Sequence, residues 1–171
     1  MLAHIIDPLL SLIYPQECSV CSMNVEMRKD GTACGQCWDT TRIFEGSEML
    51  CDKCGAFFGE KASPVDVFCR KCDEYFFDKA FALGIYEKAL AASIISLKNS
   101  PHVPARVSQL IQNRSADFVG VVLIVPIPLS KERKLERGFN QAEVVASNIA
   151  KTIGIAVDAH SLERRRHTHI H

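Results

Sequence analysis

Apolar residues recur at regular spacings beyond residue 80, whereas before it they are scattered between paired cysteines. Ala80 to Tyr86 reads as a strand, and Ala89 to Leu97 as a helix with Leu90, Ile94 and Leu97 on one face. Pro101 and Pro104 interrupt the pattern. A second helix is predicted to begin near Pro104 and to run through Val107, Leu110 and Ile111 to about Arg114. The nearly continuous β-branched run from Val119 to Val125 has the composition of a strand buried on both faces, which predicts the centre of a sheet. It ends at Pro126 and Pro128. A third helix is predicted from about Asn140, with Ala142, Val145, Ala146, Ile149 and Ile153 at helical spacing and Gly154 as its stop. Ile155 to Ala159 reads as a further strand. Strand, helix, helix, strand, helix, strand is the order of a parallel α/β sheet, in which ligands sit at the carboxyl ends of the strands. At the other end of the chain, Asp7 and Pro8 read as an N-cap and first turn, and Leu9, Leu10, Leu12 and Ile13 as a short apolar helix ending at Pro15.

With 171 residues, 47% of them apolar, the chain has enough core-forming material to fold, which excludes a disordered polar tail. The apolar stretch Leu2 to Ile13 is interrupted by His4, Asp7 and Pro8 and has no basic residue ahead of it, so it does not read as a signal peptide. No run approaches the roughly 20 apolar residues that a membrane span requires. A soluble cytoplasmic protein without membrane insertion is the expectation. The 20 bases and 20 acids balance overall but not locally. Residues 1 to 80 hold 13 acids and 8 bases, net −5, and residues 81 to 171 hold 7 acids and 12 bases, net +5. An anionic ligand should therefore meet the second half.

The eight cysteines form four CxxC pairs: Cys18 and Cys21, Cys34 and Cys37, Cys51 and Cys54, Cys69 and Cys72. A CxxC turn can point both sulfurs at one ion, and two turns complete the closed four-thiolate site that structural Zn²⁺ prefers. Twelve residues separate the first two pairs and fourteen the last two. These lengths suit two successive zinc ribbons, each built from consecutive pairs, with two Zn²⁺ expected. Spacing alone leaves open a cross-braced pairing, and iron in place of zinc. Gly35 beside Cys34 and Gly55 after Cys54 suit knuckles that need a positive φ. Each filled site would carry about −2, so this half suits an anionic strand poorly, and the metals read as folding staples. Trp38, Phe44, Phe57, Phe58, Phe76 and Phe77 are expected in small ribbon cores rather than stacked on nucleic-acid bases.

The segment Pro126 to Gln141, between the central strand and its helix, is where chemistry is expected. Ser130, Lys131, Arg133, Lys134 and Arg137 crowd together beside a helix start, so that cations, a hydroxyl and free N–H groups could converge on a phosphate. Gly138 would permit close backbone approach. The plainer alternative is a solvated turn in which Glu132 and Glu136 are ion-pair partners.

Four CxxC knuckles are followed by Gly84-Ile85-Tyr86, Leu97-Lys98, Val125-Pro126-Ile127-Pro128-Leu129-Ser130, Arg133 and Arg137-Gly138-Phe139-Asn140-Gln141. In these motifs the chain resembles the ComF family of competence-type, GntX-like proteins, which pair an N-terminal double zinc ribbon with a phosphoribosyltransferase-like domain. The resemblance implies an α/β fold with an N-terminal helix over 1–16, a double zinc ribbon over 17–78 and the first part of a type I phosphoribosyltransferase-like parallel α/β domain over 79–171. It further implies that Ser130, Lys131, Arg133, Arg137, Gly138, Asn140 and Gln141 bind the pyrophosphate of phosphoribosyl pyrophosphate with Mg²⁺, as cations stabilise a departing pyrophosphate. Arg164, Arg166 and Thr168 are similar to the family's Arg-x-Arg-x-Thr flexible loop, although His171 stands where a Gln is expected. Competence proteins or single-stranded DNA are implied as partners, and a homodimer as the assembly. The family pattern continues into paired aspartates and a Thr-Thr-Gly loop that these 171 residues lack. The expectation is a fragment or degenerate copy that is inactive as a phosphoribosyltransferase on its own. No catalytic residue is assigned.

His160, His167, His169 and His171 alternate as strand ligands would, but histidines on a chain end are expected to be solvated. A competing function is a zinc-ribbon module that binds nucleic acid or protein and keeps the α/β half as a non-catalytic scaffold.

Overall fold

The structure, a computed structural model, describes residues 14–60 and 67–165. The apolar helix expected over residues 9–13 lies outside the described residues.

In the first half, a short 3₁₀ turn (Arg28–Asp30) leads into α1 (Gly35–Asp39), which starts at Cys34 and buries Cys37 and Trp38. β1 (Glu48–Leu50) and β2 (Phe57–Glu60) form an antiparallel hairpin whose register shifts between Met49 and Leu50. A second 3₁₀ turn (Arg70–Glu74) carries Cys72. The second half contains α2 (Lys88–Ser96), α3 (Ala105–Asn113), β3 (Leu123–Ile124), α4 (Lys131–Arg137), α5 (Gln141–Ile153) and β4 (Ala156–Val157). β3 pairs in parallel with β4, Leu123 opposite Ala156 and Ile124 opposite Val157, so α4 and α5 form the crossover between parallel strands.

The three periodic helices lie where the spacing predicts them. α5 is bounded by Asn140, whose side chain accepts from Ala142 N, and by Gly154 in the left-handed conformation. Three expectations fail. Ala80 to Tyr86 does not form a strand. It makes a single antiparallel bridge, Ile43 to Gly84, flanked by Phe44 N to Leu83 O (2.9 Å) and Ile85 N to Arg42 O (2.9 Å). The backbones approach so closely there that a Cβ on Gly84 would lie 2.3 Å from Arg42 O. Val119 to Val125 is not a central strand buried on both faces. Gly120 turns the chain at φ 85°, among the described residues only Leu123 and Ile124 of the run pair with another strand, and Val119 and Val122 are 86% and 85% exposed. The third is the loop expected over Pro126 to Gln141, which contains α4. Ser130 caps it by accepting from Arg133 N, and Gly138 ends it in the left-handed region.

The main core spans both halves. Cys18, Val25, Ala33, Cys34, Cys37 and Trp38 of the first ribbon pack with Ala89 of α2 and with Val107 and Ile111 of α3. The contact is also polar. Thr41 Oγ1 donates to Cys37 O (2.6 Å) and accepts from Ala89 N (3.1 Å), thereby taking up an otherwise free N–H of the α2 first turn. Lys88 Nζ donates to Thr40 O (2.8 Å), and the Arg106 guanidinium lies over the Trp38 ring at 5.8 Å. Residues 17–44 thus pack on α2 and α3 as one body, across the boundary near residue 78 that the sequence suggests.

Candidate functional site

The four sulfurs of Cys18, Cys21, Cys34 and Cys37 lie within 4.8 Å of one another, and so do those of Cys51, Cys54, Cys69 and Cys72. Consecutive pairs come together, and the cross-braced alternative is not adopted. In the first cluster Cys18 and Cys37 Sγ are 3.7 Å apart, and Cys21 and Cys34 Sγ 3.6 Å. In the second, Cys51 to Cys72 and Cys54 to Cys69 are both 3.5 Å. A tetrahedral zinc with Zn–S bonds of about 2.3 Å would hold its sulfurs about 3.8 Å apart. Those four distances are close to that size, whereas Cys69 and Cys72 Sγ, 3.1 Å apart, lie closer than a single ion would hold them.

The two knuckles repeat one local geometry. Ser22 N donates to Cys18 O (2.9 Å) and Gly55 N to Cys51 O (2.8 Å), with φ at 61° and 69°. Gly55 behaves as the sequence suggests. Gly35 does not, because it opens α1 with ordinary helical backbone, and Ser22 holds the equivalent left-handed position. The turns also aim N–H groups at sulfur: Cys34 N and Val20 N at Cys18 Sγ (3.3 and 3.4 Å), and Cys69 N at Cys51 Sγ (3.3 Å). Burial raises the Cys18 thiol, but N–H groups of Cys34, Cys21 and Val20 outweigh it and bring its pKa down to about 6. At Cys51 the Cys54 N–H is the largest influence, opposed by burial and aided by Cys69 and Lys53, and the result is again about 6. Burial holds the Cys37 thiol well above its usual range, and the neighbouring sulfurs, Cys69 first, do the same at Cys72. Each cluster therefore offers one ready thiolate, and a dication would deprotonate the rest. Four sulfurs per cluster, with no fifth donor among the described residues, make each a closed, structural type of site.

The clusters differ in their surroundings. Cys18, Cys34 and Cys37 are buried in the main core while Cys21 is exposed; in the second cluster Cys51 and Cys72 are buried and Cys54 and Cys69 partly so. Trp38 and Phe44 are core residues as expected, and Phe57 stacks on Phe44 at 5.8 Å. Phe58, Phe76 and Phe77 are not in a core. They are 45%, 105% and 40% exposed, and Phe68, Tyr75 and Phe81 join them at the surface.

In the basic segment, Ser130 is buried as the α4 cap, Lys131 is exposed and Arg133 half-exposed. Arg137 Nη1 donates to Gln141 Oε1 (2.9 Å). Asn140 is buried, with Oδ1 accepting from Ala142 N and Nδ2 donating to Ile127 O (both 3.0 Å), which ties the proline loop to the start of α5. A cavity of about 530 Å³ opens beside this segment. Of the residues assigned to phosphate, Gly138 and Asn140 line it, with Lys134 of the same run; Ser130, Lys131, Arg133, Arg137 and Gln141 do not. His102, Asn148 and Lys151 line it too. No sequence motif marks these three, because only the packing of α5 against the segment before α3 brings them together. Arg164 is exposed. Arg166, Thr168, His167, His169 and His171 lie outside the described residues.

The double zinc ribbon domain family matches residues 9–75, a span that contains all eight cysteines. Residues 9–75 carry a double zinc ribbon domain with two four-cysteine sites, consistent with two structural zinc ions. Neither the curated proteins nor the solved structures contain a significant match to the chain. Among the described residues no helix is long and apolar enough to cross a membrane.

Proposed function

We propose that this is a ComF-like, zinc-braced protein of the cytoplasm that binds phosphoribosyl pyrophosphate or pyrophosphate through residues 126–141. The observation that carries the reading is the double role of Asn140. Its side chain caps α5 and holds the Pro126–Pro128 loop at the same time, so the cationic turn is fixed in place before any ligand arrives. Lys131, Arg133 and Arg137 supply the charge, and the net +5 of residues 81 to 171 favours an anion. Mg²⁺ would accompany the diphosphate, a homodimer is the proposed assembly, and the process served is DNA uptake or nucleotide metabolism, all three by family resemblance. The zinc ribbons support the domain and take no part in chemistry. Calorimetry of the full chain with pyrophosphate and Mg²⁺ tests the reading. Binding weakened at least fivefold by Arg137→Ala is expected, and equal binding by parent and variant would reject it.

A second reading, a zinc-ribbon module for nucleic acid or protein, is favoured by the exposed aromatics of the second ribbon. Tyr75 stacks on Phe77 at 5.4 Å and Lys53 Nζ lies 5.8 Å from the centre of the Phe77 ring, a ring-and-cation surface of the kind that stacks bases. Under this reading Phe76→Ala lowers the affinity of the full chain for a single-stranded oligonucleotide, and titrations with no binding at low salt count against the nucleic-acid form.

A further inference from the structure

The two clusters present their sulfurs to solvent differently. In the first, Cys21 is exposed, but Cys18, Cys34 and Cys37 are buried in the main core with Trp38, Val107 and Ile111. Loss of Cys21 alone would leave three core-held ligands on the ion. In the second cluster Cys54 and Cys69 are both partly exposed, and none of its four cysteines belongs to that core.

Within the second cluster, Cys69 and Cys72 stand apart. Their Sγ atoms are 3.1 Å from each other, against 3.5 Å for Cys51 to Cys72 and for Cys54 to Cys69. Arg70 and Lys71, both exposed, lie between them, whereas the other three CxxC turns enclose Ser19 and Val20, Gly35 and Gln36, and Asp52 and Lys53. Lys53 brings a third cation to the same turn, its Nζ donating to Cys72 O (2.9 Å) and to Tyr75 O (2.7 Å). A partly exposed sulfur in an electropositive setting, with a second sulfur in reach, is the arrangement of an oxidisable cysteine.

We propose that Cys69 and Cys72 are a redox-active pair, which hydrogen peroxide converts to a disulfide with release of the second ribbon's zinc while the first ribbon keeps its own. The Cys69 thiolate attacks one peroxide oxygen, the O–O bond breaks, and a sulfenic acid forms as the departing hydroxide is protonated to water. The Cys72 thiolate then attacks that sulfur and displaces its oxygen as hydroxide, which takes up a proton. In balance, two thiolates, one peroxide and two protons give one disulfide and two waters. Zinc is neither oxidised nor reduced. It leaves because Cys51 and Cys54 alone remain to hold it. The Tyr75 and Phe77 surface is tied to the same turn through Lys53 and through Tyr75 N, which donates to Cys72 O (3.2 Å), so it loosens with the ion. This oxidation modifies the ribbon and is independent of any ligand of residues 126–141.

The test is a peroxide titration of the full chain loaded with zinc. Released zinc is read with a coloured chelator, and disulfides are mapped by mass spectrometry after alkylation of the remaining thiols. Trypsin cleaves after Arg70 and Lys71, so a Cys69–Cys72 disulfide joins two peptides that would otherwise separate. The first zinc released should accompany that linkage, with Cys18, Cys21, Cys34 and Cys37 still alkylated and hydrogen-exchange protection of α2 and α3 retained. A dithiol reductant with added zinc should restore the starting state. Replacing both Arg70 and Lys71 by Ala, at exposed positions and with folding checked by thermal melting, should slow the release about threefold or more. Oxidation of Cys21 before Cys69, a first zinc lost with a different disulfide, simultaneous loss of both ions, or release at an unchanged rate in the double variant would overturn the proposal.

Discussion

At the knuckles, backbone conformation matters as much as the sulfurs. Ser22 occupies the left-handed region, where a residue with a Cβ is strained by about 1–2 kcal/mol. Ser22→Gly is therefore expected to stabilise the folded chain by about 1 kcal/mol, read from urea unfolding in the presence of zinc; destabilisation would show that the hydroxyl has a role the backbone account omits. Gly55→Ala should act the opposite way, because its Cβ would lie 3.2 Å from Ala80 O at a positive φ. Asp30 is a second pressure point. Burial pushes its carboxyl pKa up, opposed by Arg106 and Lys29, and its Oδ1 has no hydrogen-bond partner among the described residues. Because the folded pKa exceeds the unfolded one, the native state binds more protons between the two values, and the parent loses stability as pH rises through that window. Asp30→Asn removes the charge. It should raise the melting temperature, with a larger gain at pH 7 than at pH 3, below the unfolded pKa; a gain that falls with rising pH would contradict the raised carboxyl.

The elements of the second half depend on their ends. Asn140→Ala removes both the cap on Ala142 N and the bond to Ile127 O, and should cost about 1–2 kcal/mol in urea unfolding; a change under a few tenths would mean that α5 holds the loop by packing alone. The three longer helices could be read in the sequence because a 3.6-residue period records which face is covered, as at Val107 and Ile111 of α3. α4 could not. Its one apolar residue, Leu135, is 86% exposed, so it leaves no periodic signal, and the helix rests on good helix formers between a Ser130 cap and a Gly138 stop. The Val119–Val125 run misled for a related reason. β-branched composition reports a fit to pleated surfaces, not the presence of neighbours, and among the described residues a single two-residue partner strand is all that pairs with it.

At the scale of the whole molecule, the metal clusters were the most legible feature and the body they join the least. Four CxxC pairs at near-equal spacing point to two four-sulfur sites, and the geometry pairs them consecutively. No residue spacing indicated that the first site would share a core with α2 and α3, because that core depends on contacts such as Thr41 with Ala89 and Trp38 with Arg106. The consequence is an unequal dependence on metal. Cys37→Ser should strip hydrogen-exchange protection from α2 and α3, whereas Cys54→Ser should leave it nearly intact and loosen hairpin β1–β2. Equal effects on α2 and α3 from the two variants would refute the shared core. Both expectations presume that the clusters are filled, which native mass spectrometry of the intact full-length chain tests most directly. The expected mass is that of the chain with eight unoxidised cysteines and two zinc ions. A single ion, an iron centre, or a metal-free chain with its cysteines joined as disulfides would contradict it.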